Sequence, residues 1–193
     1  MGDLILGADF SRKPITGWAF PNEDNIRLIP GAVPELRAKF QSADTLFYVL
    51  NSSGIFDNLD VSVSMKFYEG ELKYVDAGIS LRYQNEVGSY AFLVSPLGTY
   101  AVGYYQKGDD GMNWKNIVDW TAHTAIRPGL NQVNRLRVIA DDGHLRVYLN
   151  GVLATSLHDG RYDAGQVRLD AEPGKSTVDV GFTDFQLREV KQG

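Results

Sequence analysis

Aromatic residues in the middle of the chain, together with one arginine and one aspartate, are the residues best suited to chemistry. Trp114 and Trp120 lie six positions apart, Tyr104 precedes them, and Asp76 and Arg82 lie further upstream. Aromatic rings attract polarised C–H groups over their faces, whereas aspartate and arginine can form hydrogen bonds with pairs of hydroxyl groups. These residue types, brought together on one surface, are typical of a site that holds a sugar.

The alternation of side chains along a strand indicates which residues share a surface, because successive residues point to opposite sides. In the segment DAGISLRY, residues 76–83, the apolar set faces the core. That set is Ala77, Ile79, Leu81 and Tyr83. The alternation therefore places Asp76, Ser80 and Arg82 on the outer face. An arginine in the middle of a strand needs solvent or an anionic partner. An ion pair of Arg82 with Asp76 or Asp119 is the structural alternative to a ligand contact.

The same reasoning applies to the segment NWKNIVDW, residues 113–120. Ile117 is the obvious core residue, so Trp114 and Trp120 point outward if the strand is continuous. In the segment TYAVGYYQ, Tyr104 shares a face with Tyr100, but the alternation does not decide which face is buried. We predict a ligand site on an exposed concave sheet around Arg82. Its expected partners are Asp76, Tyr104, Trp114 and Trp120.

Patterns of catalytic residues are weak by comparison. Glycosidases need two carboxylates at a defined separation. Glu69 and Glu71 have the two-residue spacing that places side chains on one strand face, but Gly70 between them indicates a turn. A dispersed pair such as Asp76 and Asp119 stays open. The histidines occur singly and match no metal-binding motif. We therefore predict no catalytic residues and leave a metal site open.

Composition limits the classes of partner. The net charge of −5 and the lack of a dense basic cluster argue against a nucleic-acid partner. No apolar run approaches the roughly 20 residues of a membrane helix, so we expect no membrane insertion. The first residues, MGDLILGADF, lack a basic region, so we expect no signal peptide in this chain. No linker or change of composition divides residues 1–193, which predicts a single domain.

Strand periodicity runs through almost the whole chain. Short alternating segments are separated by turn residues, and none has a convincing helical pattern. The predicted strands are 45–50, 59–68, 76–83, 89–95, 99–106, 116–120, 165–171 and 177–190. Residues 136–157 add a three-stranded meander, with Asp142-Gly143 and Asn150-Gly151 at its turns. Residues 33–43 fit a helix or an edge strand. The pattern predicts an all-β, antiparallel β-sandwich.

Four segments carry a likeness to a known superfamily. They are ADFSRKPITGW, DAGISLRYQNEVGSYAFLVSPLGTYAVGYY, WKNIVDWTAHTAIRPG and NRLRVIADDGHLRVYLNGVLATSLHDGRYDAGQVRLDA. The chain resembles the laminin-G-like branch of the concanavalin A-like lectin/glucanase superfamily, and more narrowly bacterial domains related to the 3-keto-disaccharide hydrolase-like family. The likeness is strongest from about Asp76 to Ala171.

This resemblance implies a jelly roll of two curved sheets, with carbohydrate bound on the concave sheet or its rim. It also implies an extracellular or cell-surface domain of a larger protein and leaves a bound Ca²⁺ possible. The expected function is weak, non-catalytic binding of an oligo- or polysaccharide. Two alternatives stay open. The first is a structural or protein-interaction module without a sugar site, and the second is a glycoside hydrolase or lyase acting on disaccharides.

Overall fold

The computed structural model describes residues 2–7, 10–11, 17–20, 23–41 and 48–190. Within this part, the chain forms fifteen strands and one short 3₁₀ turn at Glu23–Asn25. The strands are β1 (Leu4–Gly7), β2 (Trp18–Ala19), β3 (Ile26–Ile29), β4 (Glu35–Phe40), β5 (Tyr48–Ser52), β6 (Leu59–Glu69), β7 (Asp76–Gln84), β8 (Gly88–Ser95), β9 (Thr99–Gly108), β10 (Gly111–Ala122), β11 (Val133–Asp141), β12 (His144–Leu149), β13 (Val152–His158), β14 (Gln166–Glu172) and β15 (Val178–Glu189).

These strands form two antiparallel sheets. The first has the order β13-β12-β11-β6-β15-β4-β3, and β1 also pairs with β15. The second has the order β10-β9-β8-β7-β14-β5-β2. No helix in the described part of the chain is long and apolar enough to cross a membrane. The prediction of an antiparallel β-sandwich is therefore confirmed.

The core lies between the two sheets, where alternate residues of each strand meet. In β6, Val61 and Val63 have no exposed surface, and Val138 of β11 pairs with Val61 in the same layer. From the second sheet, Ile79 of β7 and Leu169 of β14 pair with each other and are equally buried. Burying each such side chain stabilises the fold by about 1.5–3 kcal/mol. The two-residue period thus fixes an inner and an outer face on each sheet.

The two turns of the β11–β13 meander have the geometry that their sequences predict. Asp142 and Gly143 have φ values of 43° and 81°, and Asn150 and Gly151 have φ values of 51° and 86°. Two successive positive φ angles are the signature of a type I′ hairpin turn, which matches the twist of the flanking strands. The Asn150 side chain also accepts a hydrogen bond from the Arg135 amide at 2.8 Å and donates to the Ala125 carbonyl at 2.7 Å.

Three predicted segments differ in detail from the structure. Residues 33–43 contain strand β4, which pairs with β15 on one side and with β3 on the other, so it is not an edge strand. The strand predicted at 116–120 belongs to the longer β10, which has register shifts after Asn116 and after Val118. Of the strand predicted at 45–50, residues 45–47 lie outside the described residues.

Candidate functional site

Three carboxyl groups lie on the outer face of the second sheet. Ala77 and Ile79 of β7 are buried, so Asp76, which precedes Ala77, and Ser80, which follows Ile79, point outward. In β14, alternation likewise turns Asp170 and Glu172 outward, since Leu169 and Ala171 are buried. Glu172 pairs directly with Asp76 across the two strands. The acidic face is defined here as Asp76, Ser80, Tyr105, Asp170 and Glu172.

Hydrogen bonds join this face into a network across the sheet. The Ser80 hydroxyl donates to Asp170 Oδ2, and the Tyr105 hydroxyl donates to Glu172 Oε1. Tyr105 lies on β9, and β8 and β7 separate it from β14. Strands about 4.8 Å apart would place the backbones of these two residues at least about 14 Å apart on a flat sheet. The contact therefore requires this face to be concave.

One carboxylate oxygen of Asp76 receives no hydrogen bond from the described residues. This atom, Oδ1, is buried. Each of the three acidic residues keeps part of its surface exposed, but its carboxyl group lies low on the concave face among other side chains. An acceptor in this position costs free energy until a donor reaches it. A hydroxyl group of a ligand can supply that donor.

Burial raises the pKa of all three carboxyl groups. Burial raises the pKa of Asp170 to about 7, although the Ser80 hydrogen bond and the Arg168 charge lower it. The pKa of Asp76 lies well above its ordinary value because of burial and of repulsion from Glu172 and Asp170. Burial also raises the pKa of Glu172, and Tyr105 opposes this by its hydrogen bond. Burial, followed by repulsion from Glu172, raises the pKa of Tyr105.

An indole ring borders the acidic face. Trp114 pairs with Tyr105 across β10 and β9, and their ring centroids are 5.1 Å apart. The Trp114 ring lies over Gly103, where an added Cβ would stand only 2.4 Å from the ring. The indole Nε1 donates to Asn116 Oδ1 at 2.5 Å. Glycine therefore leaves the space that lets this ring lie down beside the carboxyl groups.

Trp114 and Trp120 both lie outside the core, as alternation predicts. Trp114 and Asn116 pair with outward residues of β9, and Trp120 is 42% exposed. The strand is not continuous between the two indoles, however, because of the register shifts after Asn116 and Val118. The distance and orientation of Trp120 relative to Trp114 are therefore set by bulges rather than by simple alternation.

The predicted position of Arg82 is wrong. Arg82 has a φ of 55°, and the pairing of β7 with β8 shifts between Leu81 and Gln84. This irregularity inverts the alternation, so the side chain of Arg82 turns inward and is only 2% exposed. Its guanidinium donates to the carbonyl oxygen of Tyr162 at 2.7 Å and to that of Asp57 at 3.2 Å. Arg82 thus fastens two connecting segments and is absent from the concave face.

The same irregularity turns Tyr83 to the outer face, so the prediction that Tyr83 faces the core is wrong. The Arg168 guanidinium lies 3.1 Å from the centroid of the Tyr83 ring. Tyr104 differs from the expectation as well, since it packs against the core with Tyr100 and Val102. The guanidinium of Arg161 covers its ring at 3.8 Å. The structure therefore separates Arg82 and Tyr104 from the outward set.

Sequence reasoning missed three members of the acidic face, namely Tyr105, Asp170 and Glu172. The alternation in QVRLDAE was sufficient to turn Asp170 and Glu172 outward. The pairing of β14 beside β7 could not be read from it, because those strands are more than 80 residues apart. No group of three histidine or acidic residues in the described ranges is arranged to hold a metal ion. The Ca²⁺ suggested by the resemblance stays a prediction.

Comparison with known proteins identifies the fold. The carbohydrate-binding module CBM66 of Bacillus subtilis matches with a TM-score of 0.62 at 14% identity, covering 91% of this chain and 98% of that one. A proposed glycosyl hydrolase of Parabacteroides distasonis matches with a TM-score of 0.59 at 12% identity, covering 91% and 89%. The galectin LEC-6 of Caenorhabditis elegans matches with a TM-score of 0.52 at 11% identity, covering 78% and 96%.

The fold is a concanavalin A-like jelly-roll sandwich. At these levels of identity the likeness establishes the fold and does not extend to activity. Neither a protein-family model nor a curated protein sequence matches the chain. The function must therefore be argued from the site.

Proposed function

We propose that the protein is a carbohydrate-binding module whose ligand lies on the acidic face. The observation that carries this proposal is the meeting of three carboxyl groups, a phenol and an indole on one concave surface. Two of the similar structures, CBM66 and the galectin LEC-6, are named for proteins of carbohydrate-binding classes. The resemblance to laminin-G-like domains supports the same class of ligand. We further propose that the ligand is an oligo- or polysaccharide bound without being cleaved.

Each part of the surface has a role in this proposal. The carboxyl groups of Asp76, Asp170 and Glu172 exchange hydrogen bonds with sugar hydroxyls, and Asp76 Oδ1 gains the donor that it lacks. The exposed part of the Trp114 indole packs against the apolar C–H face of a ring. Gly78 and Ala91, on the neighbouring strands β7 and β8, add little side-chain bulk to the floor of the face. Such open polar sites bind weakly because desolvation and ordering offset much of the contact energy.

Calorimetric titration against plant, fungal and bacterial polysaccharides tests this proposal. We expect one or more neutral glycans to bind, and Trp114→Ala and Glu172→Gln each to weaken that binding about tenfold, the effect of losing about 1.4 kcal/mol. Arg127→Gln, at an exposed position between β10 and β11, is the control and should bind normally. Absence of binding to every glycan would favour the structural or protein-interaction module instead.

A glycoside hydrolase is the second candidate, and the raised pKa values favour it specifically. Hydrolysis needs one protonated and one ionised carboxyl group flanking the bond. With the pKa of Asp170 near 7, this residue can carry a proton at neutral pH. Asp76 and Glu172 are directly paired on neighbouring strands, a position that brings side chains within about 5.5 Å at Cβ. Cross-strand placement thus supplies the acid pair that no local sequence motif shows.

Release of reducing ends from any glycan that binds separates the two candidates. A hydrolase would lose turnover in Asp170→Asn and Glu172→Gln while retaining measurable affinity for the glycan. A binding module would show no turnover above a heat-inactivated control, with either wild type or variant. We expect the second result, because Tyr105 already occupies one oxygen of Glu172.

A further inference from the structure

The outer face of the first sheet carries a second polar site, on the opposite side of the sandwich from the acidic face. A pocket of about 190 Å³ opens there over β11, β12, β6 and β15. We call it the arginine pocket. Its principal side chains are Ser62, Arg135, Arg137, Tyr148, Gln186 and Arg188. Alternation places them together, since Leu136, Val138 and Leu187 between them are buried in the core.

Only one of the three arginines has an acidic partner in the described part of the chain. Arg137 forms two parallel hydrogen bonds with Asp60, at 2.7 and 2.6 Å. The charges of Arg137 and Asp60 neutralise each other, and both oxygens of Asp60 already accept hydrogen bonds from Arg137. Arg135 and Arg188 bond to neutral groups instead. The pocket therefore has an excess of two positive charges, although the whole chain has a net charge of −5.

The two unneutralised guanidinium groups are held in place by neutral acceptors. Arg135 Nη2 donates to Ser62 Oγ at 2.7 Å. Arg188 donates from Nε and Nη2 to Gln186 Oε1, at 3.2 and 3.1 Å, and from Nη1 to the Gly2 carbonyl at 3.3 Å. These contacts orient the planar groups and do not neutralise them. Preoriented guanidinium groups are well matched to oxyanions, whose oxygen atoms accept paired hydrogen bonds.

We propose that the arginine pocket binds an oxyanion, such as a sulfate or carboxylate group, between Arg135 and Arg188. The volume of about 190 Å³ is below the range of about 300–1,000 Å³ that holds drug-sized ligands. It suits a single anionic group together with part of its carrier. Tyr148 supplies an aromatic surface beside the anion, which an acidic sugar ring can cover. This inference does not depend on glycan binding at the acidic face.

Titration with inorganic sulfate, at constant ionic strength against chloride, tests the pocket itself. We expect the NMR signals of the Arg135 and Arg188 side chains to shift with saturation in the millimolar range. Arg135→Gln and Arg188→Gln should each weaken sulfate binding about tenfold, the effect of losing one charge-assisted contact. Arg127→Gln removes the same charge at an exposed position outside the pocket and should leave the affinity unchanged. Circular dichroism of each variant confirms that it is folded.

A second arm of the experiment identifies the source of the anion. A sulfated or uronate polysaccharide that binds more tightly than free sulfate, and loses affinity in Arg135→Gln, would assign the pocket to an acidic glycan. Binding of free sulfate alone would assign it to a small anion. Equal shifts with sulfate and chloride, or equal affinity in Arg135→Gln and Arg127→Gln, would overturn the proposal. Trp114→Ala should not affect sulfate binding, so failure here is distinct from failure of the glycan site.

Discussion

The ionisation of Asp170 should make the fold less stable as the pH rises. The pKa of this carboxyl group is about 7 in the folded protein, against an ordinary value of 3.8. A raised pKa means that the folded state binds the proton more tightly than the unfolded state. The stabilisation from that proton is complete below pH 3.8 and is lost progressively as the pH rises to about 7.

The size of the effect follows from the shift. One pKa unit corresponds to about 1.4 kcal/mol, so the full shift would amount to about 4 kcal/mol. Asp170 keeps part of its surface exposed, and solvent screens its charge, so we expect about half of this, or about 2 kcal/mol. The variant Asp170→Asn cannot ionise and keeps an oxygen that accepts the Ser80 hydrogen bond. It should be more stable than wild type by about 2 kcal/mol at pH 8.

Urea unfolding followed by tryptophan fluorescence, at pH values from 4 to 8, measures this difference. The gap in the free energy of unfolding between Asp170→Asn and wild type should grow through this range and level off above pH 7. Asp109→Asn provides the control, since it removes an acid from the exposed turn between β9 and β10. A gap for Asp170→Asn that is the same at every pH, or that shrinks as the pH rises, would refute the reasoning.

Three further predictions concern stability and can be measured by the same urea unfolding at pH 7. Arg82→Met should lower the free energy of unfolding by about 3 kcal/mol, because the carbonyls of Asp57 and Tyr162 lose their hydrogen-bond donor. A loss below about 1 kcal/mol would contradict the buried role of Arg82. Trp120→Ala should lower the free energy of unfolding by about 1 kcal/mol, since Trp120 is 42% exposed and lies outside the core, and a loss of about 3 kcal/mol or more would favour a structural role. Asn150→Ala should lower the free energy of unfolding by about 2 kcal/mol, because it loses the side-chain hydrogen bonds and strains the positive φ. Asn150→Gly should lower it by about 1 kcal/mol, because glycine tolerates the positive φ and loses only the hydrogen bonds. Equal losses in the two variants would show that the φ angle is immaterial.

The acidic face illustrates how far alternation reaches. Asp76 and Trp114 were correctly placed on an outer surface. Val75 and Ala77 on either side of Asp76 are buried, and Trp114 lies where the pairing of β10 with β9 is regular, from Gly111 to Asn116. Arg82 was misplaced because a single positive φ angle inverts the alternation at the end of β7. No residue type at this position announces that angle, since arginine rarely adopts it. Such a bulge is decided by how the strand meets its neighbours.

The sequence by itself determined most of the strands, the inner and outer faces of their regular parts, and the type I′ turns of the meander. These features are local, since they depend on a two-residue period and on residues that tolerate positive φ. Only the tertiary structure decided that Glu172 lies opposite Asp76, that Tyr105 reaches Glu172 across two strands, and that Arg135 and Arg188 share a pocket. The physical reason is that strand order and sheet curvature arise from packing between segments far apart in the chain, which no local pattern specifies.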